Sequence, residues 1–142
     1  MQMTTDQKEI SQRLNLKGYR LTRQRLAVFK TLRNTKSHPD ANWIYEKVRK
    51  EIPHVSLGTI YRTLGILKEA GLLYELDYGS SLSHYDANTE NHPHIVCTNC
   101  ARIDDLPLSL PYKLREQATK ATDFLITDHR LEFYGLCPHC RP

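Results

Sequence analysis

All four cysteines of the chain fall into two C-x2-C pairs, Cys97-Thr-Asn-Cys100 and Cys137-Pro-His-Cys140. Two intervening residues let both sulfurs of a pair turn toward one ion while backbone amides donate to them, and four thiolates complete the tetrahedral shell that zinc prefers. The pattern predicts a structural Zn2+ held by Cys97, Cys100, Cys137 and Cys140, a closed centre with no open position for catalysis. Disulfides belong to oxidising compartments, and a thioredoxin-like redox pair is single and needs no matching second pair. The 36 residues between the pairs are more than a simple zinc ribbon uses, so a folded segment is expected between them.

With the cysteines assigned, a second set of donors remains: His38, Asp86, His92, His94 and Asp105. His92-Pro93-His94 places two imidazoles on the same side of an extended segment, because side chains two apart point alike. Two or three imidazoles with two carboxylates suit Fe2+, Mn2+ or Zn2+ better than Ca2+ or Mg2+. Asp104 competes with Asp105 for the same role, but strand register favours Asp105. Most surface histidines are simply solvated, and that is the expectation for His54 and His139.

The charge is unevenly spread around these donors. Through Ser83 there are 14 Lys/Arg and 8 Asp/Glu; from His84 onward there are 6 and 8, together with five of the seven histidines and every cysteine. A basic half suits a polyanion, and a half rich in acid, imidazole and thiol suits cations. With 39% hydrophobic and 25% charged residues in 142, the composition is that of a globular protein of one large or two small domains. No apolar run approaches the roughly 20 residues that span a bilayer, and the polar N-terminal stretch lacks the apolar core of a secretory signal. The expectation is a cytoplasmic protein with no membrane partner.

The elements that must position these residues can be read from periodicity and caps. Gln7–Asn15 reads as a short amphipathic helix ending before Gly18. Thr22 is a suitable N-cap for a second helix carrying Leu26, Val28, Phe29 and Leu32. After a polar loop with His38-Pro39, Ala41–Glu51 reads as a third helix, stopped by Pro53. Ser56 caps a fourth over Leu57–Ala70, with Ile60, Leu64 and Leu67 as its buried stripe and Gly71 as its C-cap. Leu72–Leu76 and Ser83–Asp86 read as a hairpin turning at Tyr78–Ser81. Three helices followed by a hairpin make a winged helix-turn-helix, with the last helix in the major groove. Beyond a polar hinge, short strands at His94–Cys97 and Arg102–Asp105, a helix at Pro111–Thr122 and a longer strand at Phe124–Tyr134 predict a small α/β domain with an antiparallel sheet. The fold class is thus α+β: residues 1–86 a winged-helix DNA-binding domain, 87–91 the hinge, and 92–142 a dimerisation and metal-binding domain.

Five motifs in order, Gly18-Tyr-Arg-Leu-Thr-Arg-Gln-Arg25, His38-Pro-Asp-Ala41, Ser56-Leu-Gly-Thr-Ile-Tyr-Arg-Thr-Leu64, His92-Pro-His-Ile-Val-Cys-Thr-Asn-Cys100 and Phe133-Tyr-Gly-Leu-Cys-Pro-His-Cys140, resemble the ferric uptake regulator family. The resemblance runs from about residue 7 to the C-terminus. It implies a homodimer of winged-helix domains joined through the C-terminal domains, with a regulatory metal closing the dimer into a DNA-binding shape. The set His38, Asp86, His92, His94 and Asp105 resembles the regulatory site of the peroxide-sensing branch; iron sensors usually carry glutamate where Asp105 stands. That likeness implies bound Fe2+ or Mn2+, with His38 and His92 the ligands converted to 2-oxo-histidine when the Fe2+ form meets peroxide. Pro93 stands where many iron sensors have an acid of a further site, which argues against a third metal even though His129 survives as a remnant ligand.

In the recognition helix, Thr59, Tyr61 and Arg62 face away from the buried stripe. By resemblance Tyr61 meets thymine methyls, Arg62 meets phosphate or a base, and Arg20 enters a narrow minor groove of an A/T-rich palindromic operator. Arg23 and Arg25 suit phosphate contacts. The expected function is a metal-dependent transcriptional repressor responding to peroxide. The alternatives are an iron-, manganese- or zinc-sufficiency sensor of the same family and, from another class, a metal-dependent hydrolase. The hydrolase is disfavoured because the chain offers no nucleophile or general base beyond the ligands.

Overall fold

The computed structural model describes residues 3–76, 82–89, 92–108 and 111–142, and the chain divides into two compact units, Met1–Thr89 and Glu90–Pro142. Each is described by itself.

The first unit opens with four helices, α1 (Thr5–Leu16), α2 (Arg23–Arg33), α3 (Ala41–Glu51) and α4 (Leu57–Glu69). Each starts where a short polar side chain can accept from an otherwise unpaired backbone N–H. Thr4 and Gln7 form a reciprocal capping box, while Thr22, Asp40 and Ser56 accept from Arg25, Trp43 and Thr59 respectively. α1 and α4 end in Schellman turns, which need left-handed backbone one residue past the cap. Gly18 (φ 82°) and Gly71 (φ 72°) supply it, with Tyr19 N–H reaching Leu14 O and Leu72 N–H reaching Leu67 O at 2.9 Å each. Gly71 thus follows the cap, which is Ala70.

Apolar residues at helical spacing fill the centre: Leu14, Val28, Ile44, Val48, Ile60, Leu64 and Leu67 are all essentially inaccessible, and Leu73 joins them. The wing is β1 (Tyr74–Leu76) antiparallel to β2 (His84–Asp86), in the register Tyr74↔Asp86, Glu75↔Tyr85, Leu76↔His84. The turn expected at Tyr78–Ser81 lies outside the described residues. β2 is fastened to the loop before α3 by Tyr85 N–H donating to Pro39 O at 3.0 Å, with the Tyr85 ring buried.

The second unit contains β3 (His94–Cys97), β4 (Ile103–Asp105), α5 (Pro111–Ala121) and β5 (Glu132–Gly135), in the sheet order β4-β3-β5. β3 and β4 pair antiparallel as expected, but β5 lies on the other side of β3 and runs parallel to it, so the sheet is mixed. The long connection through α5 permits this, since a helical crossover returns the chain to the end it left. The strand expected over Phe124–Tyr134 is confined to Glu132–Gly135: β3 is only four residues long, and pairing begins at Leu131, whose carbonyl accepts from His94. Phe124 and Leu125 before it are exposed. No helix among the described residues is long and apolar enough to cross a membrane.

Leu64→Ala should destabilise the first unit by about 2–5 kcal/mol through the cavity it leaves, and Thr22→Ala by about 1 kcal/mol through the lost cap. Urea denaturation followed by far-UV circular dichroism checks both, and equal effects would contradict the ranking.

Candidate metal centres

The parallel register of the second sheet gathers the cysteines. Cys97, the last residue of β3, stands opposite Gly135, the last of β5, so both C-x2-C turns leave the sheet at the same end. Thr98 N–H donates to Gly135 O at 2.8 Å and locks the two exits together. Each turn is closed by its own backbone bonds, Ala101 N–H to Cys97 O at 2.9 Å and Cys140 N–H to Cys137 O at 3.0 Å. Ala101 takes a left-handed φ of 64° to do so. All four sulfurs lie within 4.8 Å of one another, and Cys100 and Cys137 are 3.8 Å apart. Four thiolates about 2.3 Å from a tetrahedral zinc stand about 3.8 Å from each other, so the spacing fits such an ion.

The surroundings of the thiols agree with that fit. Backbone N–H groups of Cys100 and Cys137 pull the Cys97 thiol down to about 6, the latter at 3.4 Å. The Asn99 amide donates to Cys140 Sγ at 3.3 Å and pulls in the same direction. There the hydrogen bond with Cys137, burial and the other thiols outweigh it, and Cys140 is pushed up to about 11. Crowded sulfurs resist joint ionisation unless a cation is among them. Asn99 escaped the sequence reading, although an amide inside a C-x2-C turn is the signal that finds it.

The second donor set is divided between the units. In the first, His38 Nε2 lies 3.0 Å from Asp86 Oδ2, both side chains nearly inaccessible. Asn88 N–H holds the other carboxylate oxygen at 2.9 Å, an Asx-type turn that fixes the group's direction. In the second, His94 and Asp105 are directly opposed across the antiparallel ladder and so share a face. His92, two residues before His94, falls on that face too; the two rings stand 4.3 Å apart, and Asp105 Oδ1 is 3.0 and 3.4 Å from their Nε2 atoms. Asp104, opposite Ile95, faces the other way and pairs with Arg102 at 2.8 Å. Sheet register therefore puts Asp105, and not Asp104, on the face that carries His92 and His94. His54 and His139 are exposed, and His129, half-buried, belongs to neither group.

On α4, the buried side is Ile60, Thr63, Leu64, Ile66 and Leu67, leaving Tyr61 and Arg62 exposed. Thr59 is half-buried, and its hydroxyl lies 2.9 Å from that of Ser56 in the helix cap. Arg20 is exposed. Arg23 donates to Glu51 O at 3.2 Å, and Arg25 lies over the Tyr19 ring, so both also brace the fold.

The sequence profile of the ferric uptake regulator family matches residues 16–134. The peroxide-responsive repressors PerR of Staphylococcus epidermidis and Staphylococcus aureus are each 40% identical over 124 residues, 87% of this chain and 83% and 84% of theirs. This chain belongs to the ferric uptake regulator family. Its fold is similar to that of the Helicobacter pylori ferric uptake regulator (TM-score 0.80, 22% identity, 94% of this chain and 92% of that one). It is also similar to the Campylobacter jejuni peroxide stress regulator (TM-score 0.73, 31% identity, 97% of this chain and all of that one). In this member of the family the cysteine cluster is tight enough for a chemical check. Chelation followed by a mild thiol oxidant should convert all four thiols to intramolecular disulfides, read as a loss of about four mass units, one hydrogen per thiol. Persistent free thiols under those conditions would contradict the clustering.

Proposed function

We propose that this chain is a cytoplasmic, homodimeric, metal-dependent transcriptional repressor that responds to peroxide. The observation that carries the reading is Asp105 set against His92 and His94 on one sheet face, in a chain 40% identical to repressors named for their response to peroxide. Zn2+ in the four-thiol centre is structural. The regulatory ion is Fe2+ or Mn2+ and takes its ligands from His38, Asp86, His92, His94 and Asp105.

Fe2+ held by these residues would supply the redox chemistry that opens the peroxide O–O bond, and the imidazole that is oxidised would supply the two electrons overall. In the net reaction one oxygen leaves as water and the other joins carbon-2 of a ligand imidazole, in place of its hydrogen. The product is 2-oxo-histidine, at His38 or His92. An oxidised ring is a poorer ligand, the ion leaves, and the repressor releases its operator. The DNA is an A/T-rich palindrome, read by α4 through Tyr61, Arg62 and Thr59 with Arg20 in the minor groove and Arg23 on phosphate. The basic character of the first unit supports this reading. Exposed Leu114, Phe124, Leu125, Phe133 and Leu136 in the second unit support its role in dimerisation.

The deciding experiment measures DNA binding by the Fe2+- and Mn2+-loaded protein before and after limited peroxide, with peptide mass analysis of the same samples. The Fe2+ form should leave DNA with about 16 Da, one oxygen, added at His38 or His92, while the Mn2+ form stays bound. If both forms stay bound with unmodified histidines, the protein senses metal sufficiency and not peroxide. His92→Ala should keep zinc and fold but lose metal-stimulated DNA binding. Cys97→Ser should lose zinc and the stable dimer, and a zinc-loaded Cys97→Ser dimer by native mass spectrometry would contradict the structural role.

A further inference from the structure

One histidine near the first unit's half of the regulatory set has no part in the reading above. His84 begins β2, two residues before Asp86, so the two side chains share a strand face. Its Nδ1 lies 2.6 Å from the main-chain oxygen of His38. A carbonyl only accepts, so Nδ1 carries the hydrogen and donates it. His38 lies in the irregular segment before α3, outside any helix or strand. Three successive residues of β2 hold this stretch. His84 holds the His38 carbonyl through its ring, Tyr85 N–H holds the Pro39 carbonyl, and Asp86 meets the His38 imidazole. The middle contact is made by backbone and survives any side-chain change, and Asp86 is itself a ligand. The ring of His84 is therefore a side-chain anchor on the His38 main chain that is not itself among the proposed ligands.

We propose that His84 is a positioning residue for the regulatory site: by gripping the His38 carbonyl it sets the height and aim of the His38 imidazole. This rests on His38 being a ligand, as proposed above. Ligands held by outer hydrogen bonds lose about 10- to 100-fold in metal affinity when the holding group is removed, and here the hold acts through the ligand's backbone. The consequence is selective. With its backbone loosened, His38 spends less time at the ion and takes a smaller share of the added oxygen, while His92, placed by the second unit's sheet, takes a larger one.

The test compares the parent with His84→Leu, which keeps bulk but cannot donate, and His84→Asn, whose amide nitrogen can occupy the Nδ1 position. Mn2+ titration followed by electron paramagnetic resonance of the free ion should give about 10- to 100-fold weaker binding for His84→Leu and near-parent binding for His84→Asn. After Fe2+ loading and limited peroxide, peptide mapping should show the ratio of oxidised His38 to oxidised His92 falling in His84→Leu and restored in His84→Asn. A His84→Leu protein that melts lower yet keeps the parent's affinity and oxidation ratio would show His84 to be merely a brace of the wing, and would overturn the proposal. Long-range 1H–15N spectra of the unmodified, metal-free protein give a check independent of any variant's folding: His84 should be the Nδ1–H tautomer, and the Nε2–H tautomer would also overturn it. A parent that binds no Mn2+ and gains no oxygen at either histidine sinks the regulatory-site reading itself, an outcome distinct from parent binding that His84→Leu leaves unchanged.

Discussion

The second unit has very little hydrophobic core. Among its described residues the buried apolar side chains are Pro93, Val96, Cys97 and Ile103, while Leu108, Leu114, Phe124, Leu125, Phe133, Tyr134 and Leu136 are exposed. Burying an apolar side chain contributes about 1.5–3 kcal/mol, whereas ordering each residue costs about 1–2 kcal/mol of backbone entropy. So few buried groups cannot order some fifty residues. Small domains in this position use a metal, a disulfide or a partner. The four thiols at the end of the β3–β5 pair are placed to fill the first role, because an ion there joins the two sheet exits to each other. Everything else in that unit, including the face carrying His92, His94 and Asp105, is held only as firmly as those strands.

The first unit is organised in the opposite way. Four capped helices converge on a continuous core, and the wing is sewn to it by buried Tyr85 and by the Lys68–Glu75 ion pair at 2.7 Å. Such a unit does not need metal to fold. Under the proposed function, loss of the regulatory ion would then leave a folded reader of DNA. Regulation by lost arrangement needs two stable states, and a self-sufficient helical unit provides one side of that requirement.

Local rules made most of the first unit legible. Thr22 and Ser56 act as caps because their oxygens sit three residues before the amides they accept from, a relation contained in a few consecutive letters; Asp40 does the same for α3 but read as part of a polar loop. Cys97–Cys100, Cys137–Cys140 and His92–His94 were equally plain, since the chemistry depends on spacings of two and three. What stayed hidden depends on pairing between distant segments. The parallel placement of β5 follows from where the crossover through α5 returns, and the alternation at Leu125, Leu131 and Phe133 imitates a long strand that β3 is too short to pair. Asp105 and Asp104 differ by one step of register, which flips a side chain to the other face, so the sequence favoured Asp105 without excluding its neighbour. The His84 ring's grip on His38 spans 46 positions of sequence, and no local pattern announces it.

Under the proposed function, the division of labour between two metals follows from their donors. Four thiolates around a d10 ion give a closed, redox-inert centre. Their lone pairs are bound to the metal, so the sulfurs are poorer nucleophiles toward peroxide than free thiolates are. A set of imidazoles and carboxylates leaves coordination positions open and suits ions that change oxidation state. Under that reading, placing the oxidisable chemistry in the second set would spare the zinc that ties the small unit's two sheet exits together. A sensor that spent its zinc cysteines on peroxide would unfold its own second unit with each response, whereas one that spends His38 or His92 alters a single ligand ring and leaves both units standing.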